Sequence, residues 1–437
     1  MGFPARTMRE FLSAPVGETL LVGGWVEDVR NLGSIAFVLI RLRDGIAQVA
    51  VKKKREEALF QQLTKIPRES VVRVTGKVVE NKEARHGREI QPTAVEVLAP
   101  ADTPLPLGVV DKVGAEFDTR LDNRTIDLRK PAIRAIFRIR HLLEGALRSE
   151  LDRRGFTGVQ TPKLSGAGAE GGATLFKTDY FGHPAFLAQS PQLYKQMLMG
   201  TGLDFVYEIG PAFRAEPSDT VRHVTEFTSF DAEVAWIESQ EDVLRILEEV
   251  LANAISSVRE RGKEFLEVLD AKLEVPKLPL PRVTYSDALE ILGKHGKRIR
   301  DGEDIDTEGE KIVGGELAVR GHEMFFLTEY PTAVKPFYVM AKPDDPEYSC
   351  SFDLELKGDE MASGGQREHR YPVLLENMKK RGLDPAGFEF YLSPFRYGMP
   401  PHGGWGLGLD RLVQKLLNLP NIREAILFPR DRNRLSP

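Results

Sequence analysis

One cysteine, Cys350, stands in a chain of 437 residues. That excludes an intramolecular disulfide and any zinc site built from several thiolates, and it suits a reducing compartment. No apolar run approaches the roughly 20 residues that a membrane-spanning helix needs. The first residues, MGFPARTMREF, lack the apolar core of a secretory signal. These absences together lead to the expectation of a cytoplasmic protein. Two phosphate-binding fingerprints are also missing. No G-x-x-x-x-G-K-[ST] occurs, and Gly404, Gly406 and Gly408 read G-x-G-x-G rather than G-x-G-x-x-G. Positive charge is not in excess: the net charge is −5. That argues against a protein that coats nucleic acid nonspecifically, but a local patch such as VKKKRE at 51–56 keeps a nucleic-acid partner open.

What is present is an ordinary globular composition, 41% hydrophobic and 29% charged, long enough for two or three domains. Residues 18–98 hold five short alternating runs (ETLLVGGWVEDV, SIAFVLIRLRDG, IAQVAVKK, SVVRVTGKVVEN, EIQPTAVEVLAP), with a helical piece, EEALFQQLTKI, after the third. Five strands with that helix position predict an OB barrel over 1–103, a fold that binds single strands with aromatics and a basic rim. Phe37 and Gln48 fall on the strands of the binding face, where Phe37 is either a stacking platform or core. The Pro-rich APADTPLPLG opens a linker over 104–130. From 131 a long amphipathic helix runs to Gly155. Strands without a βαβ rhythm follow, among them DFVYEIGPAFRAE, EFTSFDAEVAWI, YSCSFDLELKG and FEFYLSPFRYGM, flanked by helices at 241–261, 372–381 and 408–418. This pattern predicts an α+β domain over 131–437 with an antiparallel sheet and an insertion at about 262–345.

Several stretches carry chemistry. In FRAEPSDTVRHVTEFTSFDAE, Arg214 and Glu216 are expected on one strand face, Arg222 and His223 in a loop, and Phe227, Ser229 and Asp231 on the return strand. Arginine forks beside an aromatic suit a nucleotide, although a surface ion-pair hairpin has the same composition. In SFDLELKGDEMASGGQREH, Asp353, Glu360 and Ser363 offer hard oxygen donors suited to Mg²⁺, and Arg367 offers a fork for a carboxylate. Ser190, Gln192 and Lys195 cluster in AQSPQLYKQ, and Glu170 sits in the glycine-rich AEGGATLF, which reads as a flap. In HGGWGLGLDRLVQKL, Asp410 suits a helix start but Arg411 opposes the dipole there, so it is either solvated or held for an anion.

Taken in order, these stretches resemble a family. FRAE…RH is similar to motif 2 of the class II aminoacyl-tRNA synthetases and GLGLDR to motif 3. The helix leading to Pro162 is similar to motif 1, and the barrel ahead of them is that of subclass IIb. EGGATLF, QSPQLYK and GGQREH resemble the aspartyl-tRNA synthetases of compact archaeal type, and the likeness covers nearly the whole chain. It implies ATP and L-aspartate as substrates, Mg²⁺ as cofactor, tRNA-Asp as partner and a homodimer formed through the motif 1 helix. Under this resemblance Arg214 bridges the α-phosphate and the amino-acid carboxylate, and Arg222, His223 and Arg411 hold the outer phosphates. Phe227 stacks on adenine, and Glu216 contacts the adenine amino group or the tRNA terminus. Ala215, Val224, Gly408, Leu409 and Asp410 complete the ATP site, with Gly408 and its neighbours allowing close backbone approach. Glu360, Asp353 and Ser363 hold Mg²⁺. Lys195 and Arg367 face the substrate's β-carboxylate, and Asp231, Ser190, Gln192 and Glu170 its amino end. Two cations against a neutral amide would be uncompensated, which argues against an asparaginyl enzyme.

Asparaginyl-tRNA synthetase, a tRNA-independent amide ligase and a non-catalytic RNA-binding protein are the competing readings. On the barrel, the resemblance gives Phe37 a base to stack on and Gln48 a base edge to read. It also puts the KKKR loop and Arg85 near the anticodon stem-loop. Discriminating archaeal-type enzymes tend to carry a second tryptophan two positions after the first-strand tryptophan, here Trp25, and a lysine two residues before the glycine ahead of the last strand. This chain has Glu27 and Arg85 there. The departures lead to the expectation that tRNA-Asn is charged as well as tRNA-Asp.

Overall fold

The computed structural model describes residues 3–110, 114–166, 175–218, 220–300 and 302–437. Contacts divide the chain into two units, one up to Pro106 and one from Leu107. The first is a closed barrel of β1 (Thr19–Asn31), β2 (Ile35–Arg41), β3 (Ile46–Lys52), β4 (Val71–Glu80) and β5 (Arg88–Ala99), in the order β1-β2-β3-β5-β4. The helix Glu57–Thr64 follows β3 as the sequence indicates. Alternation explains the barrel: Ala36, Val38 and Ile40 are fully buried inside, while the residues between them turn outward.

In the second unit the short strands are β6 (Thr157–Gly158), β7 (Leu164–Ser165), β8 (Lys177–Tyr180) and β9 (His183–Leu187). The long ones are β10 (Phe205–Phe213) and β11 (Glu226–Ala235). Then come β12 (Arg282–Thr284), β13 (Met324–Thr328), β14 (Ser351–Leu356), β15 (Asp359–Gln366) and β16 (His402–Gly408). Eight of them form one sheet in the order β12-β13-β14-β15-β16-β11-β10-β6. Its interior is antiparallel, as expected, but both outer pairs, β12/β13 and β6/β10, are parallel, so the sheet is mixed. The helices Pro131–Arg153 and Gln240–Arg261 pack on one face. The apolar stripe of the first (Ile136, Ile139, Leu143, Leu147, Leu151) is buried there inside the chain. That stripe is therefore not what this helix could offer to a partner subunit.

Three local expectations are corrected. FEFYLSPFRYGM is not a strand. Residues Pro385–Phe388 and Glu389–Arg396 are helical, because Tyr391, Leu392 and Phe395 recur at helical spacing and bury against Phe337 and Leu374. TGVQTPKLS is not one strand but two short ones, β6 and β7, on either side of Pro162. The 262–345 segment has a small core of its own, yet β12 and β13 extend the main sheet.

The glycines of β16 are explained by register. Gly404 pairs with Glu233 and Gly406 with Asp231 on β11. A Cβ on Gly404 would overlap the Ala232 carbonyl oxygen and the Glu233 carboxylate, and one on Gly406 would come within 2.9 Å of Asp231 Oδ1. The missing side chains make room for two buried carboxylates.

Candidate active site

A cavity of about 260 Å³ opens on the sheet over β11, β15 and β16. From the expected set its wall brings together Ser190, Gln192, Arg214, Glu216, Arg222, His223, Val224, Phe227, Asp231, Glu360, Ser363, Arg367, Gly408, Asp410 and Arg411. Phe227, Ser229 and Asp231 share one face of β11, as the period of two requires. Arg214 and Glu216 do not share a strand face, because β10 ends at Phe213 and both lie in the loop that follows. Ala215 and Leu409 are not on the cavity wall, and Leu409 is a fully buried core residue. Glu170 lies outside the described residues.

The floor is an ion-pair cluster. Lys195 is 2% exposed and lies behind the wall rather than on it. Its Nζ donates to Asp231 Oδ1 at 3.0 Å and to the Trp405 carbonyl at 2.7 Å, and it lies 3.5 Å from Glu233 Oε2. Arg367, also buried, donates from Nε to Glu233 Oε1 at 2.9 Å and faces the cavity. Burial raises the Glu233 carboxyl, but Arg367 and Lys195 outweigh it and hold the group below the usual range. The two cations therefore already face two carboxylates. The expectation that they would stand uncompensated against a neutral amide is corrected, and any preference for a carboxylate rests on donor geometry. Glu233 went unread in the sequence although it continues the alternation of Ser229 and Asp231.

His402 lies beside this cluster, fully buried, with Nδ1 2.8 Å from the Pro400 carbonyl. Burial pushes its pKa down to about 4, against the opposing pull of Glu233. The unfolded chain takes up this proton near the ordinary imidazole value of 6.5, the folded chain only near 4. Stability from His402 is thus fully present above about pH 6.5 and lost as pH falls toward 4, by at most about 3 kcal/mol. Glu233, with its lowered pKa, adds to the loss as pH falls through and below its unfolded value of 4.5. The melting temperature should decline across this window, and less so in His402→Asn. A flat wild-type profile from pH 6.5 to 4.5 would contradict the assignment.

The upper wall is basic. Arg214 lies over the Phe227 ring, 5.3 Å from its centroid. Arg222 donates to Asp359 Oδ1 at 2.5 Å and to Thr307 Oγ1 at 2.8 Å. His223 meets Thr220 Oγ1 at 2.6 Å, and burial lowers its pKa. Arg411 Nη1 donates to the Glu360 carbonyl at 2.7 Å. Asp410 accepts from the Thr228 backbone N–H at 2.7 Å and pairs with Arg140, so its carboxylate braces the helix start.

Beside Arg411, Asp353 pairs across the strands with Ser363, and Glu355 with Glu360. Lys335, which no sequence signal marked, donates to Asp353 Oδ2 at 2.8 Å and lines the cavity. Asp353 itself lies off the wall, and its Oδ1 is buried with no hydrogen-bond partner among the described residues. Burial, then the Asp353 carboxylate, raises Glu360. Among the described residues no three or more His, Cys, Asp or Glu side chains form a metal-holding group. Hard oxygens with one orphaned carboxylate oxygen fit Mg²⁺, which takes one or two carboxylates and completes its shell with phosphates and water.

On the barrel, Phe37 is half-buried and outside the core, between the inward-facing Ala36 and Val38. Gln48 Nε2 donates to Glu89 Oε2 at 2.9 Å, and Asn81 donates to the same oxygen at 2.9 Å. Glu27 falls at an irregularity in the β1/β2 register between Val26 and Asp28, 3.6 Å from Arg41 Nη1. Arg85 is exposed in the loop before β5, and Lys52, the last residue of β3, and Lys54 just after it are exposed.

Comparison with known proteins agrees with this geometry. Residues 116–432 match the family model of tRNA synthetases class II (D, K and N), and residues 20–98 match that of the OB-fold nucleic acid binding domain. The chain is 52% identical over 423 residues to the aspartate--tRNA(Asp) ligase of Thermococcus kodakarensis, covering 96% of this chain and 97% of that one. It is 49% identical over 422 residues to the aspartate--tRNA(Asp/Asn) ligase of Methanopyrus kandleri, with 96% of each chain covered. Among solved structures, asparaginyl-tRNA synthetase from Pyrococcus horikoshii with asparaginyl-adenylate superposes with a TM-score of 0.89 at 34% identity, over 97% of both chains. A cavity built from a charged floor, a basic upper wall and an acidic, oxygen-rich edge thus sits in a chain that belongs to the class II tRNA synthetases, with an OB-fold domain ahead of the catalytic one.

Proposed function

We propose that this chain joins L-aspartate to tRNA in two steps at this cavity. An α-carboxylate oxygen of aspartate attacks the α-phosphorus of ATP, the bond to the bridging oxygen breaks, and pyrophosphate leaves. The 3′-terminal adenosine hydroxyl of tRNA then attacks the carbonyl carbon of the aspartyl adenylate and displaces AMP. No covalent enzyme nucleophile is needed, and burial holds the Cys350 thiol up at about 11. Catalysis is positioning and charge stabilisation.

The observation that carries the reading is Arg367 at the floor, held by Glu233 through Nε and Nη2 while it lines the cavity. A guanidinium presents only donors. A carboxylate answers with two acceptors, whereas an amide must turn an NH₂ toward N–H groups. This favours aspartate over asparagine, in line with the relatives at about half identity. Arg214 is given the α-phosphate; a base stacking on Phe227 takes the place of its guanidinium and turns it toward the phosphates. Arg222, His223 and Arg411 take the outer phosphates and Glu216 the adenine amino group. Asp353, Glu360 and Ser363 would hold Mg²⁺, which when bound neutralises and orients the phosphate oxygens. The deciding experiment is ATP–pyrophosphate exchange with aspartate, asparagine and lysine in turn. Exchange driven best by asparagine would replace this reading with the asparaginyl one.

The barrel is assigned to the anticodon, with Phe37 stacking on a base and Gln48 reading an edge, and Lys52, Lys54 and Arg85 meeting phosphates. We read the enzyme as relaxed, charging tRNA-Asp and tRNA-Asn. Glu27 and Arg85 stand where a second tryptophan and a lysine are expected of a discriminating enzyme, and Glu27 is engaged with Arg41. The two transcripts should be aspartylated with efficiencies within about tenfold, about 1.4 kcal/mol. A preference of two orders of magnitude for tRNA-Asp would overturn this. A homodimer and a cytoplasmic location go with the reading. Sedimentation at micromolar concentration should give twice the 48.9 kDa chain mass, and monomer alone would refute the dimer.

A further inference from the structure

The loop 214–225, which carries Arg214, Glu216, Arg222 and His223, is hydrogen-bonded to the sheet only by the Arg214 N–H to Thr225 carbonyl bond at 2.9 Å and by the Arg222–Asp359 pair among the described residues. Among the described residues its backbone is braced mainly by the C-terminal tail. The Ile422 N–H donates to the Val221 carbonyl at 2.9 Å, and Arg423 Nη1 donates to the Thr220 carbonyl at 3.1 Å. The Thr225 N–H donates to the Arg430 carbonyl at 2.8 Å, and Arg432 Nη1 donates to the Pro217 carbonyl at 2.9 Å. The tail is bonded on its other side to the first helices after Leu107. Arg124, 1% exposed, donates from Nε to the Leu427 carbonyl at 3.0 Å. Its Nη2 donates to the carbonyls of Ile426 and Glu424 at 3.0 and 3.3 Å. Arg120 Nη1 reaches Glu424 Oε1 at 2.9 Å, and Arg434 Nη1 reaches Asp122 Oδ1 at 2.6 Å.

A buried guanidinium facing three main-chain carbonyls is an unusual use of charge. Asp127, fully buried, accepts from Arg124 Nη1 at 3.0 Å and compensates it. Carbonyls held by a fork cannot slide along one another, so residues 424–427 have one position relative to the helix 124–127. The same strap then presents Ile422, Arg430 and Arg432 to the loop. A lysine would keep the charge beside Asp127 but could not span the three acceptors.

Resting on the reading that the loop binds ATP, we propose that Arg124 and Arg432 are positioning residues for the activation step: the tail is a strap, fixed by Arg124 and laid against the loop by Arg432, that holds the phosphate-binding side chains in place before ATP arrives. Neither residue touches a substrate. Their effect falls on ATP far more than on aspartate, whose floor residues lie off the loop: Asp231 and Glu233 on β11, Lys195 on the helix Gln192–Leu198 and Arg367 just past the end of β15.

The test is steady-state ATP–pyrophosphate exchange with the full-length chain, varying ATP and aspartate separately, on Arg124→Lys and Arg432→Ala, with melting temperatures. Arg432 is exposed, so its removal tests the strap without burying a void. Arg432→Ala should raise the KM for ATP about threefold to tenfold, the scale of one charge-assisted hydrogen bond partly shared with water. Its KM for aspartate should stay within about twofold and its melting temperature should be unchanged. Arg124→Lys should raise the KM for ATP at least as far, again sparing aspartate. Unchanged ATP kinetics in Arg432→Ala, or parallel rises in both KM values in Arg124→Lys, would overturn the strap. A wild-type enzyme with no aspartate-dependent exchange would instead overturn the activation reading itself.

Discussion

Lys195→Met should lower aspartate-dependent exchange by about 10³-fold, roughly 4 kcal/mol, while the KM for ATP stays within about twofold. The reason lies in the floor of the cavity. Removing one cation leaves Asp231 and Glu233 with Arg367 alone, in a region where all of these groups are nearly sealed from water. Under the proposed function, an uncompensated carboxylate is then presented where the β-carboxylate of aspartate would bind, and repulsion is added to the loss of attraction. The Trp405 carbonyl also loses its donor. Stability should fall with activity, so the single variant does not by itself separate folding from selection. The double variant Lys195→Met/Glu233→Gln does: it removes the excess negative charge and should recover most of the melting temperature but little of the aspartate activation. Near-normal aspartate kinetics in the single variant would take Lys195 out of amino-acid selection.

Gly404→Ala should destabilise the catalytic domain by about 3 kcal/mol or more, read from the denaturant midpoint. The added Cβ meets a backbone carbonyl and the Glu233 carboxylate in the middle of the sheet, and neither can move without breaking the β11/β16 ladder or the Arg367 pair. Gly293→Ala is the control. It is an exposed position on the helix Tyr285–Lys294 with nothing within 4 Å of the added methyl, and it should gain about 0.5–1 kcal/mol through helix propensity. Equal effects at the two sites would show that the β16 glycines are not there to clear space for the carboxylates.

The barrel was legible in the sequence because its signal is local. Alternating runs separated by turns fix strand count and order, and a helix after the third strand narrows the topology. The return strand of the cavity was legible for the same reason: a period of two puts Phe227, Ser229 and Asp231 on one face whatever lies beyond. The aromatic run 388–399 misled because aromatics suit strands and helices alike. The outcome turned on Phe337 and Leu374, distant residues that offered a pocket at helical spacing.

By itself, then, the sequence determined the two folds, the order of the motifs and the residue types around the cavity, since each is encoded within a few neighbouring positions. Only the tertiary structure decided how charge is balanced. Lys195 meets Asp231 across 36 positions and Arg367 meets Glu233 across 134. These pairings depend on the β11/β15/β16 register, in which a slip of one residue turns the carboxylates out of the floor. It also decided what the β16 glycines are for, and that the loop 214–225 leans on the C-terminal tail, 203 positions from Thr220 to Arg423. Electrostatic compensation and steric clearance are properties of neighbours in space, and a single chain of letters carries no record of which neighbours those are.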